Sequence, residues 1–282
     1  VNKMTERAML TIDFDYFCRE KVIWDWGHSE AGERLGIFVK TIWPIRYMNL
    51  KLYEETDLSY ADFKPYELWM KLRERGIKVG KHTRLGVAES HEMAYKFFLD
   101  TIDDVAVIYN FDAHHDLYST HALDCGNWAY HLAKEVKKRT GEKLKVVWVY
   151  PQWVGIEWFD KLPIDDVKLP RGVKRYVDFE YMTYDDIPKK QRRVDDLFVC
   201  RSGAWVPPHH DQAFLDMLGM GLNFWNLPHD KVADYGIIQR KAMSREQAEE
   251  LYESYQKKIS ISRAHTSSSG DGSTSSIDSG ST

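Results

Sequence analysis

Three cysteines in 282 residues, Cys18, Cys125 and Cys200, are too few and too irregularly spaced for a disulfide framework or a thiolate metal site. They fit a reducing compartment, and a cytoplasmic location is expected. No apolar run approaches the roughly 18 residues needed to cross a bilayer. The polar start Val1–Asn2–Lys3–Met4–Thr5–Glu6–Arg7 lacks the pattern of a signal peptide, so no membrane partner is expected. A charge surplus is missing too. With 39 basic against 43 acidic side chains the chain has no cationic stripe of the kind that nucleic acid requires, and the short basic run 189–193 reads as a solvated loop. No internal repeat is visible.

Apolar segments of strand length alternate with helical patterns. Met9–Ile12, Asp104–Phe111, Leu144–Tyr150, Val173–Val177 and Leu197–Cys200 read as strands. Helices are expected at Glu67–Arg75, His91–Leu99, Trp128–Lys138 and Gln212–Leu218, the first stopped by Gly76 and the third by Gly141. Strands separated by helices of this length imply crossover connections, hence a three-layer α/β/α fold with a mostly parallel central sheet. One domain over residues 1–265 is expected. Ser244 with Gln247 three residues later is a capping box opening a terminal helix, and the Ser, Gly and Thr of residues 266–282 read as a disordered tail.

The chemistry concentrates at two strand ends. Asn110–Phe111–Asp112–Ala113–His114–His115–Asp116 follows an apolar run, and Ile12–Asp13–Phe14–Asp15 follows another. On an extended backbone residues two apart share a face, so Asp112, His114 and Asp116 converge, as do Asp13 and Asp15. Carboxylates that close repel unless a cation neutralises them, and oxygen donors with one nitrogen suit manganese, iron(II) or cobalt better than zinc. His91, between the turn following Gly86 and a helix, is a further candidate ligand. The plainer readings, turn caps and acids at a helix start, stand beside each of these.

Asp112–Ala113–His114–His115–Asp116 resembles the D-A-H-x-D signature of arginases and related ureohydrolases, a segment shared more loosely with histone deacetylases. Cys125–Gly126–Asn127 resembles their Ser-Gly-Asn loop, His91 stands where they carry a metal-binding histidine, and Asp13–Phe14–Asp15 is similar to their Asp-x-Asp. The resemblance covers roughly residues 86–135 and the N-terminal strand. It implies an arginase-like fold, two Mn2+ held by Asp13, Asp15, His91, Asp112, His114 and Asp116, and Asp116 as the group that hands on the proton.

There are departures. The Asp-x-Asp lies N-terminal to D-A-H-x-D instead of after it, so strand order must be rearranged; Asp178–Phe179–Glu180 is the alternative in the expected order. Ala129 stands where arginases hold a histidine, leaving His131, His121, His28 or His209 as shuttles by type, with His131 preferred. Cys125 in place of serine weakens a hydrogen bond to a free amino acid. With the aromatic loops at 24–30 and 201–211, the chain resembles most the arginase-like group that acts on arginine inside peptides, and that resemblance implies a peptide arginine, or a modified arginine, hydrolysed to ornithine and urea. Asn127, Cys125 and Glu30 are the substrate-binding candidates, with Glu89 and Glu180 as further acids for the guanidinium. Two alternatives remain: amide deacetylation at one zinc with Tyr118 as donor, and a binding module that keeps the metals without turnover. Oligomerisation is left open.

Overall fold

The computed structural model describes residues 6–19, 35–102 and 107–268. Seven strands form one sheet in the order β5-β4-β3-β1-β6-β2-β7, and every pair is parallel. They are β1 (Glu6–Asp13), β2 (Ile77–Ala88), β3 (Val107–Phe111), β4 (Leu144–Val149), β5 (Val177–Met182), β6 (Arg192–Cys200) and β7 (Val232–Asp234). The helices are α1 (Leu35–Asn49), α2 (Leu52–Glu55), α3 (Leu68–Glu74), α4 (Met93–Phe98), α5 (Trp128–Thr140), α6 (Gln152–Trp158), α7 (Asp211–Trp225) and α8 (Arg245–Ser268).

Strand alternation divides the core into two layers. Leu10 and Ile12 of β1, Tyr109 and Phe111 of β3, and Leu197 and Val199 of β6 pack with Leu68, Trp69 and Leu72 of α3 and Phe214 and Met217 of α7. Met9, Ile108, Phe198 and Cys200 take the opposite face, under Phe97 and Phe98 of α4 and Trp128 and Leu132 of α5. With both faces covered, the strands are apolar on both sides, as a parallel sheet demands. This is the three-layer α/β/α arrangement expected from the alternation of elements. Trp43 and Tyr47 of α1 pack with Ala248 of α8 in a separate cluster. Ser244 and Gln247 exchange the reciprocal backbone bonds of a capping box, 3.0 and 3.2 Å, where α8 begins.

Helix α8 runs through Ser268, three residues into the segment expected as a disordered tail, and the rest of that segment lies outside the described residues. Two further elements depart from expectation. Gly86 lies inside β2 and not in a turn; the strand was hidden because Lys78, Gly80, Lys81, His82 and Arg84 interrupt its apolar pattern around an irregularity between Val79 and Arg84. A Cβ at Gly86 would lie 2.8 Å from the Phe97 ring and 3.0 Å from that of Phe198, so glycine permits α4 to close on the sheet. Residues 173–175 form a 3-10 turn, and the strand starts only at Val177. Among the described residues no helix is long and apolar enough to cross a membrane.

Candidate metal centre

The sheet order brings the N-terminal Asp13–Phe14–Asp15 segment beside Asp112. β1 lies between β3 and β6, with Ile12 level with Phe111 and Asp13 level with Cys200, while Ala88 of β2 is level with the same Cys200. The carboxyl ends of β1, β2 and β3 therefore open on one crevice, the place where open α/β sheets bind ligands. Asp13 ends β1, His91 follows β2, and Asp112 follows β3.

Beyond these ends the chain turns instead of staying extended. Phe14–Phe17 is a 3-10 helix capped by Asp13, whose Oδ1 accepts from the Asp15 N–H at 3.3 Å. Asp112 Oδ1 accepts from the His114 N–H at 2.7 Å, and Asp116 has a left-handed φ of 53°. Asp15 and His114 thus meet through turns, not strand alternation: His114 Nδ1 lies 3.0 Å from Asp15 Oδ2 and 3.6 Å from Asp112 Oδ1.

His91 Nδ1 lies 3.2 Å from Asp13 Oδ2, 3.1 Å from Asp112 Oδ2 and 2.9 Å from Asp116 Oδ2, yet makes no well-directed hydrogen bond to any of them. Its Nε2 is 2.6 Å from the Thr11 hydroxyl. With the ring proton on Nε2, donated to Thr11, Nδ1 presents a lone pair to the point where three carboxylate oxygens converge. Two triads result, Asp13/His91/Asp112 and Asp15/Asp112/His114, each with its ligand atoms within 4.8 Å of one another. Asp112 belongs to both. The hard-oxygen and imidazole donor set, and an orphaned nitrogen aimed at carboxylates, fit a pair of divalent cations.

Charge in this volume is poorly compensated by protein alone. Asp13, Asp15, His91, Asp112 and Asp116 are each at most 3% exposed. Burial, and then the neighbouring carboxylates, push Asp15 and Asp116 well above the usual carboxylate range, and burial raises Asp13 as well. Burial opposes ionisation of Asp112 too, but the adjacent imidazoles of His114 and His91 outweigh it and hold the group low. Burial disfavours charge on His91, and the carboxylates of Asp116, Asp112 and Asp13 crowded against its Nδ1 override that and raise its pKa well above 6.5. Without a cation, protons must fill its place.

Three supporting residues escaped the sequence reading. Thr11 orients His91; Asn110 Nδ2 donates to Asp112 Oδ2 at 3.2 Å; Trp128 Nε1 donates to Asp116 Oδ2 at 2.5 Å. Thr11 and Asn110 carried a signal, since each is a polar residue inside an apolar strand two places before an aspartate. Trp128 carried none.

Other expected residues sit elsewhere. His131 Nε2 is 2.9 Å from the His121 carbonyl and its ring packs against Tyr95 and Tyr130, so it is held by the loop and not by the carboxylates. Asn127 gives both amide hydrogens to Ser119 Oγ and the Ala122 carbonyl, and its Oδ1 accepts from the Asp124 N–H. It shapes the 119–127 loop in place of the substrate contact expected of it; Cys125 is half-buried in that loop. Asp178 and Glu180 are exposed on the edge strand β5, Glu180 paired with Lys145, and cannot replace Asp13 and Asp15. Glu89 is buried against Arg201. Glu30, His28 and the tryptophans at 24 and 26 lie outside the described residues. No protein-family model matches the chain, and no curated protein or solved structure matches it either.

Proposed function

We propose that this chain is a metal-dependent hydrolase of a guanidino group, acting on arginine within a peptide or on a modified arginine, and that its cofactor is a pair of Mn2+ ions. The observation that carries the reading is the sharing of Asp112 between two candidate ligand triads, because one carboxylate within reach of both positions can bridge a pair of ions. Asp13, His91, Asp112 and Asp116 would hold one ion, and Asp15, Asp112 and His114 the other. Bound there, the ions would lower the pKa of water and supply the nucleophile for the guanidinium carbon at neutral pH.

The chain's own residues do the rest. Thr11 holds His91 Nε2 and so turns Nδ1 toward the carboxylates, and Asn110 and Trp128 set the carboxylates of Asp112 and Asp116. Asp116 has one oxygen toward His91 and a donor from Trp128, and is placed to accept a proton and pass it to the leaving nitrogen. Burial excludes bulk water from these groups, strengthening every charge interaction among them.

One observation favours a second reading. Tyr118, about half exposed, has its ring 6.2 Å from that of His114, where a phenol could serve an amide deacetylase. Metal analysis of purified chain, followed by a urea assay over free arginine, agmatine and arginine peptides, separates the two. Two manganese per chain with urea release supports the guanidino hydrolase. One zinc per chain with acetate release from acetyl-lysine peptides replaces it, and two metals with no product from any of these leaves only a binding module.

A further inference from the structure

The ligands of the centre are sealed apart from His114, whose side chain is 20% exposed. Whatever reaches the carboxylates passes this imidazole. Two tryptophans pack on it: the Trp158 ring centroid is 5.2 Å from that of His114 and the Trp205 centroid 5.4 Å. They come from different segments, the end of α6 after β4 and the loop after β6, and both are half-buried.

The loop carrying Trp205 is fixed from behind. The Gly203 carbonyl accepts from Trp43 Nε1 and Arg240, the Ala204 carbonyl from Arg46, and the Val206 carbonyl from Arg240. Arg201 is paired with Glu89 beneath it, and a Cβ at Gly203 would collide with Glu89. From Arg201 to Pro208 every residue is buried except Trp205. A loop held this firmly, with one indole left partly open against a ligand histidine, is a preorganised wall. Trp158 packs on one side against the cluster of Trp148 and Tyr150, its ring centroid 5.4 Å from that of Trp153, and meets His114 on the other. Trp43, Trp69, Trp128, Trp148 and Trp153 each give their Nε1–H to an acceptor in the chain, whereas Trp158 Nε1 has none among the described residues, a property it shares with Trp225.

Among the described residues the acids leave few ways to bind a cation here. Glu89 is already paired with Arg201, and Glu180 stands on the edge strand. We propose that Trp158 and Trp205 form the substrate entrance and select a cationic arginine side chain of a peptide by cation–π contact as it passes His114 toward the buried carboxylates. This rests on the guanidino-hydrolase reading for the identity of the side chain. Indole is the best of the aromatic faces for a guanidinium, and a neutral urea of the same shape loses that attraction.

The test uses the full chain loaded with Mn2+ and a fluorescein-labelled, end-capped peptide with one central arginine, beside the same peptide carrying citrulline. Rapid-mixing anisotropy reads binding, and urea is measured in parallel. The arginine peptide is expected to bind about tenfold more tightly than the citrulline peptide. W158L and W205L should each erase most of that preference, while W158F and W205F keep most of it, with manganese content unchanged. Equal binding of the two peptides, no binding of the arginine peptide, or an undiminished preference in both leucine variants overturns the proposal. The two-peptide comparison on the unmodified chain decides even if a variant misfolds. Arginine preference that needs the tryptophans but yields no urea upholds the entrance and removes hydrolysis; urea release indifferent to both tryptophans does the reverse.

Discussion

W128F isolates one atom pair in the candidate centre. The substitution deletes the Nε1–H that reaches Asp116 Oδ2 at 2.5 Å but keeps an aromatic ring against His91, whose centroid lies 5.0 Å from that of Trp128, and against Phe98. A hydrogen bond to a charged acceptor contributes about 1.5–3 kcal/mol, and loss of a partner of a metal ligand lowers affinity about 10–100-fold. At ~1.4 kcal/mol per decade the two figures agree, so manganese should bind W128F about 10–100-fold more weakly, read by competition against a chelator of known affinity. The sign with pH follows. Burial already raises the pKa of Asp116, and removing a donor that favours its ionised form raises it further, so the variant's affinity should recover toward the wild-type value as pH rises. W148F is the control, since its lost donor serves the main-chain carbonyl of Asp112 at 2.9 Å and no ligand atom. A W128F protein that is folded and binds manganese within twofold of the wild type would refute the role of Trp128, and equal losses in W128F and W148F would reduce both to packing.

Because Asp112 is common to both triads, D112N should bind no metal, whereas D15N and H91A should each retain one ion per chain; elemental analysis after gel filtration counts them. Burial pushes Asp62 up to about 6, against the bonds from Gln152 N–H and the Tyr16 hydroxyl. Its unfolded form ionises near 3.8, so between those values the unfolded chain holds fewer protons, and stability falls as pH rises from about 4 to about 6. D62N should flatten that slope by about 1–2 kcal/mol in urea titrations run at pH 4, 5, 6 and 7, and an unchanged slope removes Asp62 as its source. G86A should lower stability by about 1–3 kcal/mol through contact of the new methyl with Phe97 and Phe198; a melting temperature equal to that of the wild type would mean that α4 shifts freely.

What could be read in the sequence was what local pattern carries. The apolar runs ending at Ile12 and Phe111, the stops at Gly76 and Gly141 and the Ser244–Gln247 box each state their structure in a few residues. β2 was not legible, because its apolar alternation breaks at Gly80–His82 and pairing with β6 supplies what pattern does not. The candidate ligand residues were visible as types at strand ends, but the reason they meet was not. Extended alternation was the wrong geometry for Asp15, His114 and Asp116, which arrive through a 3-10 turn, an aspartate-capped turn and a left-handed residue. Strand order was beyond the sequence too. Asp13 and Asp112, 99 positions apart by their numbers, meet because β1 enters the sheet beside β3.

The left-handed backbone at Asp116 bears on why the cluster exists. A non-glycine residue in that region costs about 1–2 kcal/mol, and glycine would remove the penalty if backbone shape were all that mattered. Asparagine would keep the turn and avoid burying a fourth carboxylate beside Asp13, Asp15 and Asp112. Neither residue stands there. An aspartate that is strained, desolvated and hydrogen-bonded to an indole is a poor choice for folding and a good one for gripping a cation. If so, the centre destabilises the metal-free chain, and ions that bind the folded form alone should raise stability by RT ln(1 + [L]/Kd), about 2.7 kcal/mol at a hundredfold excess over Kd. Thermal melts with and without manganese read that gain directly, and D112N should show none of it. A wild-type melting temperature indifferent to manganese would mean that these acids persist for a reason other than metal.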